Sequence, residues 1–368
     1  MTNRIFNFSA GPCTLPLEAL EEAQRDFVDY KGTGMSLFEM THRGKHYDEV
    51  HNQTLSLARE IYKAPEEFDI LLLQGGATLQ FSMIPMNLLG EGRKGGYVNS
   101  GAWAKKAIAD AKKYGEIYTA WDGKDTNYAR MPKANEIQIQ ENTSFLHITS
   151  NETIGGIRFA EFPSVTVPLV ADMSSDFMSR YIPWDKFDLV YGGAQKNLGP
   201  AGLAVVYIRK SLLELSSDKL GAYLNFKVHS DGKSLYNTPP VFSIYMMGLT
   251  LKWIKNIGGL TEIERRAKEK ADILYKAIDE SDGYFNCPVN KDDRSLMNIV
   301  FRLPNEELEA NFLDELKSNN LVGLKGHRSV GGCRASCYNA MPKQGVEKLV
   351  ELMHSFKKKN SLSNVIAL

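Results

Sequence analysis

Phe187-Asp-Leu-Val-Tyr-Gly-Gly-Ala-Gln-Lys-Asn-Leu-Gly-Pro-Ala-Gly202 runs from an apolar strand through two glycines to a single lysine, Lys196. Gly199-Pro-Ala-Gly202 then turns the chain into a second apolar strand, Leu203 to Ile208. A lysine on a tight, glycine-lined connection between buried strands is poorly placed for an ordinary solubilising charge. Desolvation there favours the neutral amine, and a neutral amine can form a Schiff base with a carbonyl compound. The plain alternative is a lysine on a surface loop; the flanking strands and glycines argue against it.

Upstream, Val165-Thr-Val-Pro-Leu-Val-Ala171 reads as a strand with Asp172 at its carboxyl end, followed by Met173-Ser174-Ser175. Ligands of open α/β sheets bind at the carboxyl ends of strands. A carboxylate there can keep a pyridine nitrogen protonated, as pyridoxal phosphate requires of its electron sink. An Asp before serines is also a common turn and helix-cap pattern, so Asp172 gains its weight only beside Lys196. A phosphate cradle follows the same logic. Phe68 to Leu73 is a strand, Gln74-Gly-Gly-Ala-Thr78 comes next, and Leu79 to Leu89 reads as a helix, a general anion site. The next unit repeats it: Gly96-Tyr-Val-Asn-Ser-Gly101, then Ala102-Trp103 opening a helix through Tyr114. Trp103 at such a turn is either core filler or a face for an aromatic ring.

Seven stretches, one of them inside the stretch quoted first, stand in order along the chain: Phe6-Asn-Phe-Ser-Ala-Gly-Pro12, Thr41-His-Arg-Gly44, Asn151-Glu-Thr-Ile-Gly-Gly156, Gly193-Ala-Gln-Lys-Asn197, Tyr236-Asn-Thr-Pro-Pro240, Lys325-Gly-His-Arg328 with Gly331-Gly-Cys-Arg-Ala-Ser336, and Tyr338-Asn-Ala-Met-Pro342. On these motifs the chain resembles, nearly end to end, the phosphoserine aminotransferase family of pyridoxal-phosphate-dependent class V aminotransferases. The resemblance implies an α/β fold of the aspartate-aminotransferase type (fold type I). It also implies a reversible transfer of an amino group from glutamate to 3-phosphohydroxypyruvate, giving phosphoserine and 2-oxoglutarate. A phosphorylated hydroxy-oxobutanoate on the route to pyridoxine is implied as a second substrate.

Residue by residue, the resemblance makes Lys196 the Schiff-base lysine and proton carrier, and Asp172 the partner of the pyridinium nitrogen. Trp103 would stack on the ring, and Thr153 would bond on its hydroxyl side. Ala77, Thr78 and Gln195 would hold the phosphate, with Asn237 and Thr238 reaching it from the neighbouring subunit of a homodimer. Arg43 would bind a substrate acid group and Arg334 the α-carboxylate, as a bidentate fork. Some family members carry an arginine where this chain has Thr78, which leaves more of the substrate phosphate to His42, Arg43, His327 and Arg328. Clustered cations on loops are otherwise usually solvated surface. A desulfurase or lyase acting through Cys333, and a protein that carries the cofactor without catalysis, are the competing readings. Cys333 lies in a stretch that reads as a strand, not a mobile loop.

The chain has 368 residues, 43% of them hydrophobic, enough to bury two cores. Alternating strands and helices from Asp69 to about Ile208 predict a mainly parallel sheet covered on both faces. Helices are expected over Glu18–Tyr30, Tyr47–Tyr62, Pro240–Ile257 (ended by Gly258-Gly259), Glu262–Ser281, Glu306–Ser318 and Gln344–Lys357, with a strand at Met297–Leu303. Ser211–Ser216 and Asn225–Ser234 read as connection, and Lys357-Lys-Lys359 as a frayed, solvated helix end. The expected division is a large cofactor-binding domain, 16–258, and a small C-terminal α/β domain, 259–368, joined by residues 1–15.

Formal net charge is zero with both signs interspersed, which argues against nucleic-acid or membrane-surface partners. Met1-Thr-Asn-Arg-Ile-Phe6 shows no signal-peptide pattern and no apolar run nears membrane-spanning length, so a cytoplasmic protein is expected. Cys13, Cys287, Cys333 and Cys337 lack paired metal spacing; free thiols and no metal are expected.

Overall fold

The computed structural model describes the backbone of residues 4–366 and the side chains of residues 4–361. Its centre is a seven-stranded sheet made from β1 (Phe68–Gln74), β2 (Lys94–Asn99), β3 (Glu116–Asp122), β4 (Thr143–Thr149), β5 (Leu169–Asp172), β6 (Leu189–Gly193) and β7 (Leu203–Arg209). The spatial order is β1-β7-β6-β5-β4-β2-β3. Only β7 runs against its neighbours β1 and β6; the other pairings are parallel. The reversal has a simple cause. The connection after β6 is too short for a crossover, so the chain must return antiparallel.

The strands are apolar because both faces are covered. On β1, Ile70 and Leu72 enter one core while Leu71 and Leu73 enter the other; on β7, Val205 and Tyr207 oppose Val206 and Ile208 in the same way. Each such fully buried side chain contributes roughly 1.5–3 kcal/mol. β5 is shorter than its sequence suggests. Pro168 has no N–H to give, and the strand begins only after it, at Leu169.

Helices α1 (Leu17–Asp26), α2 (Lys45–Tyr62), α3 (Gly76–Leu88) and α4 (Ala102–Ala111) precede or flank the parallel strands. Two expected connections are partly helical: Lys210–Leu213 and Phe226–Asp231 each form a short helix. Asn225 explains the second, since its side chain accepts from Val228 N at 3.1 Å and caps it. Helix α5 (Val241–Asn256) follows Pro240 and gives way at Gly258, whose φ of 114° lets α6 (Gly259–Asp279) start at once, three residues before the sequence suggests.

Leu260 and Ile263 of α6 pack into the core under the sheet. Ala271, Leu274, Tyr275 and Ile278 pack into a separate core with Phe8, β8 (Asn298–Phe301), α7 (Glu306–Ser318), β9 (Cys333–Ser336) and α8 (Lys343–Ile366). One helix thus serves both cores. Phe6-Asn7 pairs in parallel with Leu321-Val322, tying the start of the chain to the second core. The lysine run is not a frayed end. α8 continues past it to Ile366, Lys357 Nζ donates to Asp282 at 2.7 Å, and Lys359 lies 3.7 Å from Glu315.

Candidate active site

Residues from the carboxyl ends of five parallel strands converge on one region, as open α/β sheets favour. After β1 the chain turns through Gly75 (φ 90°) and Gly76 (φ 62°) into α3. A Cβ on Gly75 would sit 2.6 Å from Leu79 Cδ2, so the tight turn needs glycine. The N-cap residue, Gly75, offers no side chain to cap this helix start; Ala77 is half-buried and Thr78 exposed. Unclaimed N–H groups and the helix dipole make this end an anion cradle.

After β2 the turn is Ser100-Gly101, and Trp103 lies in the first turn of α4. This helix start is closed differently. The buried Glu152 carboxylate accepts from Trp103 N at 3.2 Å and Ala104 N at 2.9 Å, with Ser100 Oγ at 3.4 Å. Gly101 makes room: a Cβ there would stand 2.8 Å from the Glu152 carboxyl carbon. The Trp103 ring faces two amines, Lys106 Nζ at 4.2 Å and Lys196 Nζ at 5.4 Å from its centroid.

The chain beyond β4 carries Thr153, and the chain beyond β6 carries Gln195 and Lys196. Lys196 Nζ donates to Thr153 Oγ1 at 2.6 Å. Burial pulls this amine down to about 8, while Asp172 and Glu152 favour its charged form and Arg334 opposes it. Lys196 can therefore lose its proton near neutral pH at small cost. Its backbone is held from the N-terminal segment: Cys13 Sγ donates to Lys196 O at 2.6 Å, and a Cβ on Gly11 would press on Lys196 Cγ at 3.2 Å.

Asp172 is the last residue of β5 and is buried. Its Oδ1 accepts from Ser174 N at 2.9 Å and Ser174 Oγ at 2.6 Å; among the described residues Oδ2 receives no hydrogen bond. Burial raises its proton affinity, and the Ser174 bonds and Lys196 counter that. Asp172 is thus a carboxylate short of one positive partner.

Of the expected substrate residues, Arg334 on β9 comes closest, with Nη1 3.4 Å from Thr153 O. His327 Nδ1 pairs with Ser329 Oγ at 2.7 Å. Its proton affinity is lowered by burial and by Arg334, Arg328 and Lys106, so at neutral pH it is a hydrogen-bonding group rather than the cation expected of it. Arg328 and Arg43 are exposed, His42 is half-buried, and among the described residues no hydrogen bond or ion pair joins Arg43 or Arg328 to Lys196 or Arg334. Asn237 and Thr238 also stay apart from Lys196. Thr238 O accepts from Gln74 Nε2 of the same chain at 3.1 Å and from Asn237 Nδ2 at 3.0 Å.

The sequence reading passed over Glu152, Ser174 and Lys106. Glu152 and Ser174 lie inside quoted motifs, beside residues given a role, and that adjacency was the available signal. The contact of Cys13 with Lys196 spans 183 positions and has no local signature.

Trp103 Nε1, Gln195 Oε1, His42 Nε2 and Arg334 Nε are buried without a partner among the described residues. Such atoms occur elsewhere among the described residues too, but those of Trp103, Gln195 and Arg334 gather around Lys196, where a bound ligand would meet them. The donor set fits pyridoxal phosphate: an aromatic face, an amine near its neutral point, a carboxylate with a free oxygen, and an open helix start for a dianion.

The sequence model of the aminotransferase class-V family matches residues 5–349. The phosphoserine aminotransferase of Lysinibacillus sphaericus (strain C3-41) is 49% identical over 361 residues, covering 98% of this chain and 100% of that protein. Among solved structures, the phosphoserine aminotransferase from Bacillus circulans subsp. alkalophilus shares 48% identity at a TM-score of 0.96, covering 98% of this chain and 100% of that one. The PLP-bound phosphoserine aminotransferase from Trichomonas vaginalis shares 38% identity at a TM-score of 0.91, covering 95% and 100%. The α/β architecture is therefore that of the fold-type-I aminotransferases, and the chain belongs to the class-V aminotransferases, within the phosphoserine aminotransferase family.

Proposed function

We propose that this chain is a pyridoxal-phosphate-dependent transaminase that moves an amino group reversibly between glutamate and 3-phosphohydroxypyruvate, yielding phosphoserine and 2-oxoglutarate. The observation that carries the reading is Lys196, a buried amine brought to about 8 and aimed at Thr153 Oγ1 beside the Trp103 ring. Bound pyridoxal phosphate supplies the electron sink that lets an amino group pass between two acids. Lys196 Nζ, able to lose its proton near working pH at small cost, would take the proton from the substrate α-carbon and return it. Asp172 would keep the ring nitrogen of the bound cofactor charged, Trp103 would support the ring face, and Thr153 would bond on its hydroxyl side. Ala77 and Thr78 at the start of α3, with Gln195 from the chain beyond β6, would hold its phosphate.

Arg334 binds the α-carboxylate common to all four substrates. Arg43 and Arg328, with His42 and His327 as hydrogen-bonding partners, take the substrate phosphate in place of the cation that Thr78 does not provide. Asn237 and Thr238 reach the phosphate in the site of a second copy. An exposed aromatic patch nearby supports a homodimer: Phe27 and Phe242 flank Phe38 at 5.1 Å each, and they are 54% and 43% exposed. We assign residues 16–258 to the cofactor-binding domain and 259–368, with 1–15, to the small one. Among the described residues no helix is long and apolar enough to cross a membrane, and the four cysteines are free; a cytoplasmic location suits the thiols.

The test is spectroscopic. Glutamate added to the cofactor-loaded protein should bleach its visible band stoichiometrically, and 2-oxoglutarate should restore it. A lyase would release product without lasting bleaching, and a mere carrier would not respond. Arg43→Ala and Arg328→Ala should each lower kcat/KM for phosphoserine by ~10–100-fold more than for serine, the scale of one charge-assisted bond. Equal losses for both substrates would put the phosphate pocket elsewhere.

A further inference from the structure

Helix α4 lacks a cap of its own. Its N-cap position is Gly101, whose missing side chain leaves the N–H groups of Trp103 and Ala104 to be met by something else. Glu152, 49 and 48 positions away, meets both with one buried carboxylate. A buried carboxylate is costly, and a serine or aspartate at position 101 would cap the helix more cheaply. The next residue, Thr153, accepts from Lys196 Nζ at its hydroxyl oxygen and from Arg334 Nη1 at its carbonyl. One dipeptide therefore touches the helix that carries the Trp103 ring, the amine, and the arginine.

We propose that Glu152 is a positioning residue of this site: it fixes Trp103 through the start of α4, places Thr153 Oγ1 against Lys196 Nζ, and holds a negative charge within electrostatic reach of that amine. The inference rests on the transaminase reading for its purpose, though not for its test. The groups acting on Lys196 are Asp172, Glu152 and Asp176, which favour its proton, and Arg334, which opposes it. Burial raises the proton affinity of Glu152, and the two backbone N–H bonds counter this and favour the carboxylate. Glu152→Gln keeps the shape, removes the charge, and leaves one N–H without its acceptor.

The experiment uses cofactor-free protein. Acetic anhydride labels neutral amines, and peptide mapping across a pH series gives the midpoint at which Lys196 becomes reactive. In Glu152→Gln this midpoint should fall by ~0.5–1 pH unit, since a partner favouring the ammonium is gone. An unmoved midpoint together with a lower thermal midpoint would make Glu152 a helix cap alone and overturn the proposal. Should Glu152→Gln fail to fold, Gly101→Ala decides. Its Cβ pushes the carboxylate off both N–H groups, which raises its proton affinity further, so less of its charge supports the ammonium and the Lys196 midpoint falls in the same direction; an unchanged midpoint overturns the proposal here as well. A parent protein inactive on phosphoserine would refute the transaminase reading and leave this labelling result standing.

Discussion

Lys196 and Lys270 make an instructive pair. Both are buried, at 8% and 2% exposure, and burial pulls both amines down to about 8. Their surroundings differ. Lys270 Nζ donates to Tyr338 O at 2.6 Å and Met341 O at 3.0 Å, two carbonyls that only accept and hold the turn before α8. Lys196 has one hydroxyl, three carboxylates within electrostatic reach (Asp172, Glu152 and Asp176), and an aromatic face. A cavity alone would choose the wrong one. A cavity of about 740 Å³ has Lys270 in its wall, along with Arg4, Trp253, Arg266, Met341 and Lys343, and has none of the proposed cofactor residues. A depressed proton affinity marks burial; the neighbours decide whether it is chemistry or a strut.

The sharpest way to break this contrast is to remove each amine in turn. Lys196→Ala should lower kcat by roughly 10²–10⁴ or more, the worth of a general base alone. Lys270→Met should cost far less activity in the same steady-state assay. Comparable losses would erase the distinction.

Asp172 is what Lys196 has near it and Lys270 lacks. Asp172→Asn should leave cofactor attachment intact but slow the proton-transfer step by about 10²–10³, typical of losing one preorganised electrostatic partner. Single-turnover absorbance with glutamate measures it, and a rate equal to the parent's would reduce Asp172 to a cap for the Ser174 turn.

The smallest effect concerns stability. Lys270 binds its proton less readily in the folded chain, about 8, than in the unfolded chain, about 10.5. Between those values the unfolded chain holds more protons, so stability rises with pH. Between about pH 8 and 9.5 the urea midpoint of the cofactor-free parent should therefore rise relative to that of Lys270→Met, a difference in which the like contribution of Lys196 and the opposing one of the buried thiols cancel. An unchanged slope in the variant would show that Lys270 keeps its full proton affinity when folded.

Lys196 was legible because its punctuation is local: two glycines, strands on both sides, and a turn at Gly199–Gly202. The same holds for the glycine turn before α3 and for Asp172 at a strand end. Lys270 hid in Lys268-Glu269-Lys270, which looks like a solvated helix face. Yet it lies seven positions after Ile263 and three after Ala267, both buried on the apolar stripe of α6. Helical spacing held that information; charge masked it. Glu152 was hidden for another reason. Its role depends on Gly101 far along the chain, and the turns before α3 and α4 look alike in sequence although one is left open and the other is filled from within. The reversal of β7 was readable from loop length, whereas the sharing of α6 between two cores was not, because its amphipathic pattern is continuous across both.

The most direct measurement traps the amine. Cofactor-loaded protein is reduced with borohydride, digested, and the pyridoxyl label located by peptide mapping. The account predicts the label on Lys196. A label on Lys270, or on Lys45 or Lys325 near the proposed substrate residues, would contradict it.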